Sequence, residues 1–513
     1  MHTESSPRRR GRRERPSGPI APAQPDWNLH RRLFAPTAVI SDDELESIHD
    51  SSLLVLRDVG MDFLHPKATE MLAAAGADVD GERVRFDPEM VTELISTAPA
   101  EFVMHAPNPA RDLVIGGDSV VFGSVASAPN AADRKGGRRT GNRADFQSLV
   151  RLVQCLNSVQ THGGYPVEPI DIHPSVRHLE AFRDLLTLSD KVVDAYSLGA
   201  QRNIDCLEMV RIVRGVSDAE LDEQPSIHSV INVSSPLRLD GPMIEGILEY
   251  SSRNQVIVLT PFTLAGAMAP VTVAGAVVQQ NAEALAGIAF TQLVRPGAPV
   301  VYGGFTSNVD MQSGSPAFGT PEYMQSAMLG GQLARRYNLP YRSSNVCAAN
   351  AVDAQAGYES VFSLWGAIMG GANLVYHGAG WMEGGLHASF EKMVIDNDLL
   401  QSVAAFLQPL VVDAASMALE AIADVGPGGH FFGTQHTQDR YRSAFFKPAV
   451  SDWRNYESWE EAGSPTALDH AERLVAAHLE AYQPPHMDDS IREELHAFVD
   501  RRVAEGGVET DYQ

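Results

Sequence analysis

Residues 341–380 read YRSSNVCAANAVDAQAGYESVFSLWGAIMGGANLVYHGAG. Two strand-like runs, YRSSNV (341–346) and NLVYHGAG (373–380), flank one long helical pattern, DAQAGYESVFSLWGAIMGG (353–371). That pattern opens at an acid able to cap it and stops at a glycine pair. Strands starting about 30 residues apart with a helix between them have room for a crossover, so they pair in parallel. The link SSNVCAANAV carries no charge, which fits either tight packing or the lining of a pocket.

The same unit recurs on the N-terminal side of this stretch. Strand candidates are SVQTHGGYPV (158–167), KVVDAYSL (191–198), SIHSVINV (226–233), QVIVLTP (255–261) and APVVYGGF (298–305). Their starts fall roughly 30 to 45 residues apart, the length of a strand, a helix and two loops. Between two of them, TPEYMQSAMLGGQLARRYN (320–338) has Thr320 placed to cap and Pro321 at the first helical position. Seven units, with an eighth strand from SVVFG (119–123) or near HFFG (430–433), predict an α/β fold. The expected form is a (β/α)8 TIM-type barrel over 126–425, preferred to a doubly wound sheet.

Flanking segments read differently. Residues 36–125 predict an N-terminal cap, with an acidic helix from Asp42, a second over 66–75 and a hairpin in VDGERVRF (79–86). Residues 426–513 predict a helical extension with aromatics in SDWRNYESWEEAG (451–463). Residues 1–35, holding the basic run RRRGRRER (8–15), lack apolar periodicity and predict a disordered basic tail. No apolar h-region follows the arginine pairs, so export is not expected.

Composition excludes several functions. A net charge of -25 over 513 residues opposes binding to nucleic acid. No apolar run reaches the length of a membrane span. Three scattered cysteines, Cys155, Cys206 and Cys347, suit a reducing cytoplasm and offer no zinc spacing. His430 and His436, six residues apart with no third ligand beside them, do not make a metal site, so none is expected. There is no phosphate-binding glycine loop and no GxSxG elbow.

In a barrel, chemistry sits at the carboxyl ends of the strands. Those positions hold His162, Tyr165, Tyr196, Asn232, Thr260, Phe262, Phe305, Asn345, His377, Trp381 and Glu383, a set rich in aromatics and amides and poor in acid–base pairs. The loop 303–323 adds Ser307, Asn308 and Asp310 as polar candidates. In HGAGWMEGGLHASFEKMVIDNDLL (377–400), Trp381 and Phe390 lie near His377 and Glu383. Aromatic faces beside a carboxylate suit a methylated ammonium. Glu383 and His377 are the ionisable candidates for a catalytic role.

The order YGGFTSNVDMQSGSPAFGTPEY, DAQAGYES, GANLVYHGAGWMEGGLHASFEKMVIDND resembles the trimethylamine methyltransferase family, over most of the chain after residue 40. The resemblance implies a (β/α) barrel that passes a methyl group from an amine to Co(I) of a separate corrinoid protein. Founding members carry pyrrolysine at the barrel mouth. Matching their pattern onto LPYRSSNVCAANAVDAQAG (339–357) places Val346 at that position, as a pocket-lining residue.

A tertiary amine must be activated before it gives up a methyl group, because the leaving group would otherwise be an amide-like anion. A quaternary ammonium is already charged and leaves as a neutral amine, so it needs only in-line placement and a strong nucleophile. With Val346 in place of pyrrolysine, the resemblance implies a quaternary amine substrate, glycine betaine giving dimethylglycine. Arg342 or Asn345 is the candidate partner for its carboxylate. The acceptor is Co(I) of a corrinoid protein or tetrahydrofolate, and a homo-oligomer is expected. The alternative is a non-catalytic quaternary-amine binding or sensor protein on the same barrel.

Overall fold

A computed structural model describes residues 21–510. Its centre is a curled sheet of eight strands, seven of them parallel. Chain order through the parallel part is Ser119–Ser124, Val193–Asp194, Ile227–Val233, Val256–Pro261, Val300–Gly303, Tyr341–Ser344 and Leu374–Ala379. The last of these pairs with the first, Leu374 opposite Val121 and Val375 opposite Phe122. The eighth strand, His30–Arg31, runs antiparallel on Ser119–Val120.

One further segment lies between the ends of the parallel set. Thr161 bridges Gly123 on one side and Val192 on the other, both in parallel. The N–H groups of Gln160 and His162 bond the carbonyls of Phe122 and Val192 at 2.7 and 3.0 Å. The strand expected over 158–167 thus shrinks to this bridge, because Gly163, Gly164 and Pro166 turn the chain away at once.

A helix follows each of these eight segments, from Arg143–Cys155 after the first to Phe390–Phe406 after the last. Their ends obey the caps legible in the sequence. Asp353 accepts from the N–H groups of Gln355 and Ala356, and Gly371 closes the same helix at φ 93°. Thr320 accepts from the N–H of Tyr323, with Pro321 in the first turn. The inner strand faces read as apolar runs because the sheet is covered on its outer face by helices.

The first strand of the sheet is Ser119–Ser124, the SVVFG alternative. Residues 430–433 form an exposed loop and no strand, so that alternative fails: two glycines precede its aromatics and a third follows, and nothing pairs with them. Ser119–Ser124 joins the sheet from within the segment expected as the cap, 36–125. Before it lie the capped helix Asp42–Leu54, the helix Pro66–Ala74 and a hairpin with Val79 opposite Val84.

The basic run 8–15 lies outside the described residues. Of the tail expected over 1–35, residues 21–35 are described, and Gln24 donates to the Cys155 carbonyl at the end of the Arg143–Cys155 helix at 2.7 Å. In the C-terminal part, Ala467–Ala481 packs on Phe390–Phe406, and Asp489–Ala504 packs on the helices Arg177–Leu188 and Ala200–Arg214. Among the described residues no helix is long and apolar enough to cross a membrane.

Candidate active site at the carboxyl ends of the strands

A cavity of about 550 Å3 opens at the carboxyl ends of the sheet. Each of the eight parallel segments contributes to its wall: Ser127, Gly163, Tyr196, Asn232, Thr260, Phe305, Arg342 and His377 lie in or just after successive segments of the sheet. Trp381 completes it from the loop after the last strand.

The aromatic part of the wall is one connected cluster. The Phe305 ring lies 5.2 Å from Phe262, 5.6 Å from Phe318, 6.0 Å from His377 and 6.1 Å from Trp381, centroid to centroid. His377 stacks on Trp381 at 5.3 Å. His377 reaches this position because the last strand shifts register between Val375 and Ala379 and the residue takes a left-handed φ of 53°. Such strain in a non-glycine residue is held only where the surroundings fix it.

Among the described residues Arg342 is the only guanidinium on the wall, and it is 2% exposed. It lies 5.1 Å over both the Phe305 and the Tyr376 rings. Among the described residues it forms no ion pair. Its Nε has no hydrogen-bond partner, and its longest-reach contacts, to the Gly304 carbonyl and to His377 Nε2, are both 3.5 Å.

A nearby carboxylate, Asp194, is already engaged: its Oδ2 lies 2.9 Å from His228 Nδ1 and 3.2 Å from the Tyr376 hydroxyl. Burial pulls the Arg342 guanidinium below its ordinary value, and nearby tyrosines and Asp194 partly offset that. It stays charged, as guanidinium does in proteins. A buried cation without a counter-ion is costly, so the site suits an anion brought by a ligand.

Burial, then the Arg342 charge, holds His377 well below the ordinary histidine range, so its imidazole is neutral near pH 7. His377 is therefore a wall of the cavity and no general acid.

The family model for trimethylamine methyltransferase (MTTB) matches residues 8–507. The chain belongs to this family. It is 34% identical over 478 residues to the glycine betaine methyltransferase of Desulfitobacterium hafniense (strain Y51), covering 92% of this chain and 98% of that one. It is 30% identical over 476 residues to the trimethylamine methyltransferase MttB of Desulfitobacterium hafniense (strain DSM 10664 / DCB-2), covering 92% and 95%. The solved Methanosarcina barkeri monomethylamine methyltransferase (MtmB) matches with a TM-score of 0.48 at 12% identity, over 89% of this chain and 94% of that one. The chain is a methyltransferase of this family.

Of the residues singled out in the sequence, Phe305, Arg342, His377 and Trp381 meet at the cavity. Other candidates do not. Val346 is 1% exposed and does not line the cavity. The strand ends at Ser344, the chain turns, and Ser363 Oγ bonds the Val346 carbonyl at 2.7 Å, which draws the residue into the core beneath the next helix.

Glu383 faces Arg138, whose Nε donates to it at 2.7 Å, with His387 at 3.0 Å. Burial raises its pKa, but these two partners more than offset that and leave it below the ordinary value. It is an ion-pair residue outside the cavity wall.

Asn345 donates to the Gly378 carbonyl at 2.9 Å and ties two strand ends together. His162 is buried against Ser189 Oγ at 2.8 Å, and burial together with Lys191 and His228 pushes it down to about 3. Tyr165 stands behind Tyr196 at 4.9 Å, and Phe390 belongs to the core.

Ser307, Asn308 and Asp310 serve their own loop. Ser307 Oγ bonds the Ala317 carbonyl, Asn308 accepts from Thr320 Oγ1 at 2.9 Å, and Asp310 accepts from Ser313 Oγ at 2.6 Å. A loop must satisfy its own backbone before it can serve a ligand.

The sequence reading missed Glu168, the one carboxylate on the cavity wall among the described residues, and Phe318, which stands 5.1 Å from Trp381. Glu168 lies between Pro166 and Pro169 in an irregular loop, where no periodicity points to the cavity.

Proposed function

We propose that this methyltransferase demethylates a quaternary ammonium that carries a carboxylate, glycine betaine to dimethylglycine. The observation that carries this is Arg342, a buried guanidinium on the cavity wall with no anion of its own. Its bidentate fork suits a carboxylate, and the aromatic cluster around Phe305 and Trp381 suits the trimethylammonium through cation–π attraction. The similarity to a glycine betaine methyltransferase supports the same substrate.

The geometry asks little else of the protein. As the C–N bond breaks, its electron pair stays on nitrogen and the product leaves as a neutral tertiary amine. The methyl carbon passes to a nucleophile that brings its own electron pair. With Co(I) no proton moves, and with tetrahydrofolate the acceptor nitrogen gives up its own proton to water after transfer. The departing amine needs no acid, so a neutral His377 is no handicap. The acceptor we assign is Co(I) of a corrinoid protein or tetrahydrofolate. The cavity is large for so small a ligand and opens at the strand ends, which leaves the acceptor an in-line approach.

We also infer that the sheet is a closed (β/α)8 barrel, with Thr161 as the residual eighth strand; its bridges to Gly123 and Val192 support this. The three unpaired cysteines support a reducing cytoplasm.

Self-association is supported by two unpartnered apolar faces. Residues 407–446 expose Leu410, Val412, Phe432 and Phe445, and the helix Ala354–Gly370 exposes Tyr358, Val361 and Phe362 along one stripe. One two-fold pairing would cover both faces at once.

The test is to incubate the protein with glycine betaine and, separately, a reduced corrinoid protein or tetrahydrofolate. Dimethylglycine is expected with one of them. Its absence with both would overturn the reading.

A further inference from the structure

Glu168 walls the main cavity on one side and a smaller cavity of about 110 Å3 on the other. Its backbone is fixed, since its N–H bonds the Ala128 carbonyl at 2.9 Å and its carbonyl accepts from Ile170 at 3.0 Å. Its carboxylate takes no hydrogen bond from the described residues.

The neighbouring donors make other bonds, and Arg177 acts on Glu168 by charge without a hydrogen bond to it. The Tyr196 hydroxyl accepts from the N–H groups of Ser127 and Tyr165 at 2.8 and 2.9 Å and donates to the Tyr165 carbonyl at 3.2 Å. Arg177 Nε and Arg202 Nη1 bond the carbonyls of Ile172 and Leu198 at 3.1 and 2.7 Å. Gly164 is what lets Tyr196 stand so close: a Cβ there would sit 2.6 Å from the ring. A carboxylate on an aromatic-rich wall that takes no hydrogen bond among the described residues complements a cation that has no N–H to give.

We infer that Glu168 is the counter-charge for the ammonium group, as Arg342 is for the carboxylate, so that the cavity selects a zwitterion; this rests on the quaternary-amine reading above. Among the described residues, Glu168 and Arg342 are the only carboxylate and the only guanidinium on the cavity wall. The role of Glu168 is specificity and not rate. Positive charge leaves the nitrogen as the methyl group departs, so a carboxylate beside it holds the bound substrate more strongly than the transition state. Replacing Glu168 should raise KM and leave kcat unchanged or slightly higher.

A pH signature follows. Burial pushes the Glu168 carboxyl up to about 7, against the pull of Arg177. Tyr165 and Tyr196 also face it and stay neutral, because burial raises both well above their ordinary value. Glu168 is thus protonated below pH 7 and anionic above it, and affinity for a cation should rise as pH passes upward through 7.

Calorimetry on the full chain tests this with two ligands of equal shape: glycine betaine and 3,3-dimethylbutanoate, which has carbon in place of the charged nitrogen. The wild type is expected to prefer betaine by about tenfold or more at about pH 8 and by less at about pH 6. Glu168→Gln should lose most of that preference and its pH dependence, and Glu168→Asp should keep part of both. If Glu168→Gln binds betaine with the full wild-type preference, the role of Glu168 is overturned while the betaine reading stands. If the wild type binds neither ligand, the betaine reading fails and the inference with it.

Discussion

Arg342 is stable where it stands only in the sense that the surrounding fold tolerates it: a guanidinium between two aromatic rings, without an anion, destabilises the free protein. Arg342→Gln should therefore melt at the same temperature as the wild type or higher. Its KM for glycine betaine should rise about tenfold to hundredfold, since a charge-assisted hydrogen bond contributes roughly 1.5–3 kcal/mol. Steady-state kinetics beside a thermal melt separates this from a structural role; lost stability with retained KM would contradict it.

Val346 behaves in the opposite way. It lies in the core, so Val346→Phe should destabilise by about 1–3 kcal/mol through overpacking, read from denaturant unfolding, and should not block the cavity. Phe305, His377 and Trp381 were legible because strand ends locate them, and Arg342 only because a betaine carboxylate would need a cation. Val346 was misplaced because the turn after Ser344 cannot be read from small residues. Glu168 was invisible because nothing in its loop repeats.

Among the elements, helices were read best, since caps are local chemistry. Asp353, Thr320 and Gly371 act as their residue types require. Strands were read well where apolar runs are long, as at Ile227–Val233, and poorly at Thr161, where pairing with Gly123 and Val192 is a tertiary fact.

The same limit hides how closely two helices meet. At Gly331, in Pro321–Arg336, a Cβ would lie 1.9 Å from the Gly370 carbonyl oxygen of the neighbouring helix. Because the obstacle is backbone, Gly331→Ala must push the helices apart. A loss of about 1–3 kcal/mol is expected, measured by denaturant unfolding, and an unchanged midpoint would contradict this packing.

At the scale of the whole molecule, a strongly acidic chain displays an apolar arm. Leu410 and Phe445 are each 88% exposed, far more than an isolated monomer would favour over a whole segment. Leu410→Glu combined with Phe445→Glu should shift the protein toward monomer in sedimentation velocity while leaving the fold intact; wild type that is already monomeric at micromolar concentration would contradict self-association.

The central claim is that one cavity at the strand ends holds a betaine with its carboxylate on Arg342. A crystal structure with glycine betaine bound tests it most directly. The carboxylate oxygens are expected within hydrogen-bond distance of the Arg342 guanidinium, with the trimethylammonium against Phe305 and Trp381. Betaine bound with its carboxylate away from Arg342, or outside this cavity, would contradict it.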